Sequence, residues 1–137
     1  MVLVDTPIWS LSLRRRAVDL SRAERQITQG LYDLVQRKQV ELLGSTRQEV
    51  LSGIREETQF FRIRDHLRGF PNVGLQGGDY EEAARASNRC RRGGIAGSSV
   101  DFLMCAVAIR RGWQIFSTDG DFARYAGLLP VQLFLPS

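Results

Sequence analysis

The stretch Val2-Leu3-Val4-Asp5-Thr6-Pro7 decides the fold class of this chain of 137 residues. Three apolar residues in succession are typical of a short strand that is buried on both faces. Thr6-Pro7 then predicts the start of a helix, because proline is favoured at the first helical position. A buried strand followed at once by a helix is the repeating unit of α/β domains with a parallel sheet.

The same alternation continues to the end of the chain. Further strands are predicted at residues 40–43, 114–117 and 131–135, with a brief edge strand at 73–75. Helices are predicted from Ser21, which forms a capping box with Glu24, from Thr46, which forms one with Glu49, at residues 60–67 and 79–92, from Ser99, and through Phe122 and Tyr125. We therefore expect one α/β domain over residues 1–137, with a mostly parallel sheet covered by helices on both faces.

Two of these helices carry more specific predictions. Residues 102–109 are apolar on every side, which predicts a helix buried in the middle of the domain. The helix at 79–92 is amphipathic, and its inward-facing residues are predicted to be Tyr80, Ala83, Ala84 and Cys90. Gly77-Gly78 is predicted to break the chain before this helix, and Gly93-Gly94 to end it.

The chain is basic, and almost all of its positive charge comes from arginine. The net charge is +4, and Lys38 is the only lysine among 19 basic residues. Arginine binds phosphate or carboxylate through a planar fork, which suits nucleic acid or an acidic partner, although a genome rich in G and C explains the bias equally well. Cys90 and Cys105 match neither a disulfide framework nor a zinc site. Without a signal peptide or an apolar run of roughly 20 residues, we expect a cytoplasmic protein with no membrane segment.

Five carboxylates stand at positions from which they could form a site. Four of them follow strands directly or begin the next helix, and the fifth begins the buried central helix; they are Asp5, Glu49, Asp119, Asp121 and Asp101. Each one alone could cap a helix or turn, which stabilises by about 1 kcal/mol per site. Together they favour a ligand site, because the strand-to-helix connections of a parallel sheet share one edge.

Carboxylates gathered at one edge repel one another unless a cation lies among them. Mg²⁺ or Mn²⁺ is the simplest candidate, since these ions accept carboxylate oxygens and complete their shell with water and substrate phosphate. One or two such ions would activate water and stabilise the departing oxygen of a phosphodiester.

Other chemistries lack parts. His66 is the only histidine, so one chain cannot supply a histidine pair, and neither cysteine has a recognisable nucleophile setting. Gly93-Gly94 follows no strand and lacks the lysine of a phosphate-binding loop. A phosphoacceptor aspartate would have a second acid beside it and a nearby lysine, whereas Asp5 is followed by Thr6-Pro7.

Four segments in this order and spacing resemble the PIN-domain family, including the stand-alone toxins of the VapC type. They cover essentially the whole chain, and they are Val2–Thr6, Glu49–Arg55, Asp101–Ala108 and Ser117–Phe122. The resemblance implies a PIN-like three-layer α/β/α domain. It also implies an endoribonuclease that depends on magnesium or manganese, forms a homodimer and is held inactive by a cognate antitoxin.

The resemblance also assigns roles to residues by position. Asp5, Glu49, Asp101 and Asp119 would form the catalytic quartet, and Asp121 would be a supporting carboxylate. Thr118 would orient the site through its hydroxyl, and Thr6 corresponds to a small hydroxyl position. Our hypothesis is that Asp5, Asp101 and Asp119 hold the metal and that Glu49 positions or deprotonates the attacking water.

The residues outside the acid set leave alternatives open. Arg14, Arg15 and Arg16 could bind RNA phosphates, but a solvated loop or a surface for an acidic antitoxin segment is also consistent. Trp9 and Trp113 could stack on bases, although packing is the commoner use of such residues. Two other functions use the same fold or acids: a silent domain that binds RNA or protein, and a metal-dependent phosphatase or deoxyribonuclease.

Overall fold

Four short strands and seven α-helices alternate along the chain, and the computed structural model describes all residues 1–137. The strands are β1 (Val2–Val4), β2 (Val40–Glu41), β3 (Gln114–Phe116) and β4 (Gln132–Leu133). The helices are α1 (Thr6–Arg14), α2 (Arg22–Gln36), α3 (Gly44–Ser52), α4 (Glu57–Leu67), α5 (Gly77–Arg92), α6 (Ser99–Arg111) and α7 (Asp121–Ala126). A single 3₁₀ turn at Ala17–Asp19 separates α1 from α2. None of the helices combines the length and apolar character that crossing a membrane requires.

The strands form one parallel sheet in the order β2-β1-β3-β4. In the centre of the sheet, Val2, Leu3 and Val4 of β1 lie opposite Gln114, Ile115 and Phe116 of β3. All four carboxyl ends therefore lie along one edge, as the sequence predicts for a doubly covered α/β sheet.

Helices cover both faces of the sheet, and each face has its own apolar core. Leu3 and Ile115 point into a core shared with α5, α6 and α7, whereas Val2, Val4 and Phe116 point into one shared with α1 to α4. Successive residues of a strand face opposite sides, which is why an apolar run of only three residues serves both cores. The predicted three-layer α/β/α fold is confirmed.

Helix α6 is the buried central helix that the sequence predicts. Its buried run includes Met104 and Cys105 at 0% exposure. Cys90 of α5 is equally buried, and both cysteines are free thiols. Burial raises the pKa of Cys105 to about 12, so both cysteines serve as packing residues and not as nucleophiles.

Two predictions around β2 are wrong. Helix α3 begins at Gly44 with Leu43 as its N-cap, so Thr46 lies within the first turn and its hydroxyl caps nothing. The fully buried Leu42 and Leu43 draw the chain into the core, and the helix starts directly after them. The predicted edge strand at 73–75 is reduced to one isolated bridge between Leu42 and Asn72.

The start of α5 also differs from the prediction. Gly77 and Gly78 form its first turn, because Asp79 accepts a hydrogen bond from the Gln76 N–H and holds the turn closed. A Cβ at Gly78 would lie 2.6–2.9 Å from the Arg110 guanidinium, so a larger residue would displace the arginine that pairs with Asp79. With Asp79 as the inward residue, Tyr80 is 56% exposed, and Ala84 is exposed as well, contrary to the predicted inward face.

Candidate active site

Asp5, the first of the predicted site residues, lies where β1 passes into α1 and caps that helix. Its Oδ1 accepts the Thr6 N–H at 2.8 Å, and its Oδ2 accepts the Ser117 hydroxyl at 2.7 Å. Only 8% of the residue is exposed. The capping interpretation and the functional one are therefore compatible, because each carboxylate oxygen serves a different partner.

Ser117 connects the first acid with the last acidic segment. Besides donating to Asp5, its hydroxyl oxygen accepts the Asp119 N–H at 3.0 Å. The sequence predicted this residue only as the end of a strand and gave the orienting role to Thr118. Thr118 is exposed, and its hydroxyl makes no hydrogen bond. The one signal that favoured Ser117 was its place immediately after the buried β3, across the sheet from Asp5.

Asp101 begins the buried helix α6. The Ser98 hydroxyl accepts the Asp101 N–H at 3.1 Å and caps the helix, while the Asp101 carboxylate is directed elsewhere. Its Oδ2 accepts the Tyr125 hydroxyl at 2.8 Å. Tyr125 is a second site residue absent from the sequence prediction, which treated it only as part of a short helix.

Three acids come closest together. Asp101, Asp119 and Asp121 each offer a carboxylate oxygen, and these oxygens lie within 4.8 Å of one another. The turn between Asp119 and Asp121 is fixed by a 2.9 Å hydrogen bond from the Asp121 N–H to Asp119 Oδ1. The metal ligands predicted from the sequence were Asp5, Asp101 and Asp119. In the structure the closest group contains Asp121 in place of Asp5.

Asp5 and Glu49 also contribute to the electrostatics of the site. Burial raises the pKa of Asp5, the hydrogen bonds from Ser117 and Thr6 oppose the rise, and the charges of Asp101 and Glu49 add to it. Glu49 is exposed on α3. Arg124 approaches Asp121 at 3.6 Å and is the only basic side chain that pairs with any of the five acids. The site thus holds an excess of negative charge that the chain itself leaves uncompensated.

Thr6 is placed beside the acids by the first turn of α1. Its hydroxyl oxygen is buried and makes no hydrogen bond within the chain. Buried hydroxyls normally have a partner, so Thr6 is one of the few residues with a buried side-chain atom that the chain leaves unsatisfied.

The predicted arginines differ in how firmly the chain holds them. Arg14 donates to the carbonyl of Gly53 at the end of α3, and Arg15 donates to Glu24 and to the Asp19 carbonyl. The side chain of Arg16 is exposed and makes no hydrogen bond or ion pair. A polar pocket of about 370 Å³ lies beside α1, lined by Pro7, Ser10, Leu11, Arg14, Arg15 and Gln59.

Trp9 is buried in the core, and His66 lies on the surface. Trp9 is 2% exposed, donates its Nε1–H to the Val4 carbonyl at 3.1 Å and packs edge-on against Phe70. It is a core residue and cannot stack on a base. His66 is exposed on α4.

Comparison with protein-family models identifies the architecture that surrounds these acids. The model of the PIN domain matches residues 2–128. The chain belongs to the PIN domain family. The fold and the family that the sequence motifs indicated are both confirmed, and the matched region includes all five acids.

Individual proteins also match over nearly the full chain. The ribonuclease VapC11 of Mycobacterium tuberculosis is 27% identical over 134 residues, which are 96% of each chain. Among solved structures, FitAcB from Neisseria gonorrhoeae has a TM-score of 0.77 at 17% identity, with 99% of this chain and 98% of that one covered. A toxin–antitoxin complex from Klebsiella pneumoniae has a TM-score of 0.71 at 19% identity, with 100% and 98% covered.

Proposed function

We propose that this PIN domain is a metal-dependent endoribonuclease toxin that a cognate antitoxin neutralises. The observation that carries the proposal is the group of Asp101, Asp119 and Asp121, whose oxygens lie within 4.8 Å of one another at the carboxyl edge of the sheet. Asp5 and Glu49 add their charges to the same place. The resemblance to a protein named ribonuclease supports the choice of RNA as substrate.

The donor set fits a hard divalent cation. It consists of carboxylate oxygens, which suit Mg²⁺ and Mn²⁺, and contains neither histidine nor cysteine, which softer metals prefer. Only Asp121 among the five acids has a basic partner, Arg124, so the chain leaves most of this negative charge for a cation to balance. Asp101 and Asp119 would hold the ion together with Asp5 or Asp121, directly or through water.

The reaction proposed is hydrolysis of a phosphodiester bond. A bound divalent ion would supply positive charge to the phosphate and make its water more acidic. Glu49, exposed at the rim, positions the attacking water and accepts its proton. The water oxygen forms a bond to phosphorus as the bond to the 3′ oxygen breaks in line, which leaves a 5′ phosphate and a 3′ hydroxyl.

The chain also offers groups for binding RNA. Arg16 is exposed and unpaired, and the polar pocket beside α1 presents Arg14 and Arg15. Backbone phosphates bind such guanidinium groups without regard to sequence. We propose that the strand enters along this side of α1 toward Asp5.

An antitoxin and a second copy of the chain are the proposed protein partners. The antitoxin is supported by the structural neighbour described as a toxin–antitoxin complex. The homodimer is proposed from the family resemblance, and the cytoplasmic location is retained as the prediction made from the sequence. Co-expression with the product of the adjacent gene tests the antitoxin: it should restore growth and co-purify with the chain.

The decisive experiment measures cleavage of total bacterial RNA by the purified, antitoxin-free protein with Mg²⁺, Mn²⁺ or EDTA. Discrete cleavage should require the metal and disappear in Asp5→Ala, Asp101→Asn and Asp119→Asn. Asp65→Asn is the matched control, because Asp65 is exposed on α4 and pairs only with Arg64 and Arg68.

Two alternatives have distinct outcomes in the same assay. Metal-dependent hydrolysis of DNA or of a phosphomonoester, with RNA left intact, would replace the ribonuclease by a deoxyribonuclease or phosphatase that uses the same acids. A folded protein that binds RNA without cutting it under any metal would favour the silent binding domain.

A further inference from the structure

The Tyr125 hydroxyl holds one oxygen of a site carboxylate. Tyr125 is 0% exposed, and its hydroxyl donates to Asp101 Oδ2 at 2.8 Å. An ionised carboxylate only accepts hydrogen bonds, so the phenol must be the donor.

Packing leaves the Tyr125 ring little freedom to move. The rings of Phe102 and Phe122 lie 5.0 and 5.5 Å from it, centroid to centroid. On the side of the hydroxyl, the backbone of Gly97 is in contact; a Cβ there would overlap the hydroxyl and lie 2.9 Å from both Tyr125 Cζ and Phe102 Cζ. The ring is therefore confined by Phe102, Phe122 and Gly97, which keeps its hydroxyl directed at Asp101.

The same short helix carries an acid and this tyrosine. Asp121 begins α7, and Tyr125 stands four residues later, so both lie on one face of the helix. Asp121 belongs to the close group with Asp101 and Asp119. Helix α7 thus approaches Asp101 through two side chains, the carboxylate of Asp121 and the hydroxyl of Tyr125.

We propose that Tyr125 is a positioning residue, which orients the Asp101 carboxylate so that its other oxygen is presented to a divalent cation. This inference rests on the proposed function, since it assumes that the acids bind a metal. Loss of a hydrogen bond to a metal-binding carboxylate typically lowers metal affinity about 10–100-fold. A tyrosine that served only to fill the core would leave the affinity unchanged when its hydroxyl alone is removed.

The first experiment measures Mn²⁺ affinity by calorimetry for the intact protein, for Tyr125→Phe and for Tyr80→Phe. Tyr125→Phe keeps the ring and should weaken binding about 10–100-fold, with an unchanged circular dichroism spectrum. Tyr80→Phe is the control, because it removes the hydroxyl of a tyrosine that is 56% exposed. Equal affinities for all three proteins would overturn the inference and leave the proposed function standing.

A second measurement needs no change at Tyr125. The chain has three tyrosines, so the double variant Tyr32→Phe/Tyr80→Phe leaves a single tyrosine signal when the ring is labelled with ¹³C at Cζ. Titration with Mg²⁺ should move this signal with the same midpoint that calorimetry with Mg²⁺ gives for this double variant. A stationary signal despite measured binding would overturn the inference alone. A protein that binds neither Mg²⁺ nor Mn²⁺ would overturn the proposed function and this inference with it.

Discussion

Ser117 Oγ lies 2.7 Å from Asp5 Oδ2, although 112 residues separate the two along the chain. The contact arises because β1 and β3 are neighbours in the sheet, so their carboxyl ends meet. Ser117→Ala removes the donor to Asp5 and the acceptor of the Asp119 N–H at once. We expect it to lower Mn²⁺ affinity and RNA cleavage about 10–100-fold, as measured by calorimetry and single-turnover assays.

Thr118 supplies the matched control for this prediction. Its hydroxyl is exposed and makes no hydrogen bond, so Thr118→Ala should retain both affinity and cleavage. Ser117→Thr keeps a hydroxyl and should retain most of them. If Thr118→Ala is impaired and Ser117→Ala is not, the orienting role belongs to Thr118, as the family resemblance first implied.

Glu49 should separate catalysis from metal binding. It is exposed and lies outside the close group of three aspartates. If Glu49 accepts a proton from the attacking water, Glu49→Gln should lower the cleavage rate about 10²–10⁴-fold. Calorimetry should give nearly unchanged Mn²⁺ affinity for the same variant. A parallel loss of affinity would make Glu49 a metal ligand and contradict its role as base.

The crowded acids should reduce the stability of the metal-free fold. Asp119→Asn removes one charge from the group, while its side-chain oxygen can still accept the Asp121 N–H. In EDTA the variant should unfold at a higher temperature than the original protein, because repulsion within the group is relieved. Mn²⁺ at 100 times its Kd should stabilise the original protein by about 2.7 kcal/mol and the variant by much less. Thermal unfolding with and without Mn²⁺ measures both effects, and Asp65→Asn should show neither.

The acids could be found from the sequence because topology alone places them. A parallel sheet brings every strand-to-helix connection to one edge, so the segments that carry Asp5 and Asp119 meet there whatever their side-chain rotamers. No packing detail is needed for that inference. It holds for elements as short as the three-residue strands β1 and β3.

The hydroxyl partners could not be found in the same way. Whether Ser117 or Thr118 faces Asp5 depends on how the chain turns after β3, and Tyr125 reaches Asp101 only because Gly97 and Phe102 confine its ring. These are choices of a single rotamer or a single residue of register, which tertiary packing makes. The same applies to Thr46, which fits a capping pattern but is not the cap, because burial of Leu42 and Leu43 makes the helix begin earlier.

Arg16 should contribute to binding RNA without contributing to the chemical step. It is exposed and unpaired, whereas Arg14 and Arg15 already have partners within the chain. Arg16→Ala should raise KM, leave kcat unchanged and reduce the slope of log affinity against log salt by about 0.7. Binding of a non-cleaved RNA analogue at several salt concentrations measures this slope. Arg85→Ala on α5 is the control, and an equal effect of both changes would indicate a general loss of charge.

Asp79 is the main electrostatic support of the fold outside the site. It is 0% exposed, and it pairs with Arg110 at 2.8 Å and Arg111 at 3.1 Å. Asp79→Asn leaves these arginines without their counter-charge. Breaking a buried ion pair typically costs about 3–5 kcal/mol. Because both arginines are partly exposed, we expect a smaller loss of about 2–3 kcal/mol in the free energy of unfolding. Glu82→Gln breaks only an exposed pair with Arg85 and should cost less than about 1 kcal/mol.

The pH dependence of this loss identifies its cause. Burial alone would raise the pKa of Asp79, but the Gln76 N–H and the two arginines outweigh it and hold the pKa below its ordinary value. A lowered pKa stabilises the fold above the unfolded pKa of about 3.9, and this contribution is lost as the pH falls through the folded value. Urea unfolding at a series of pH values should therefore show the gap between the original protein and Asp79→Asn narrowing below about pH 4. A gap that stays constant down to acid pH would assign the loss to packing and to the capping of α5, and not to the ion pairs.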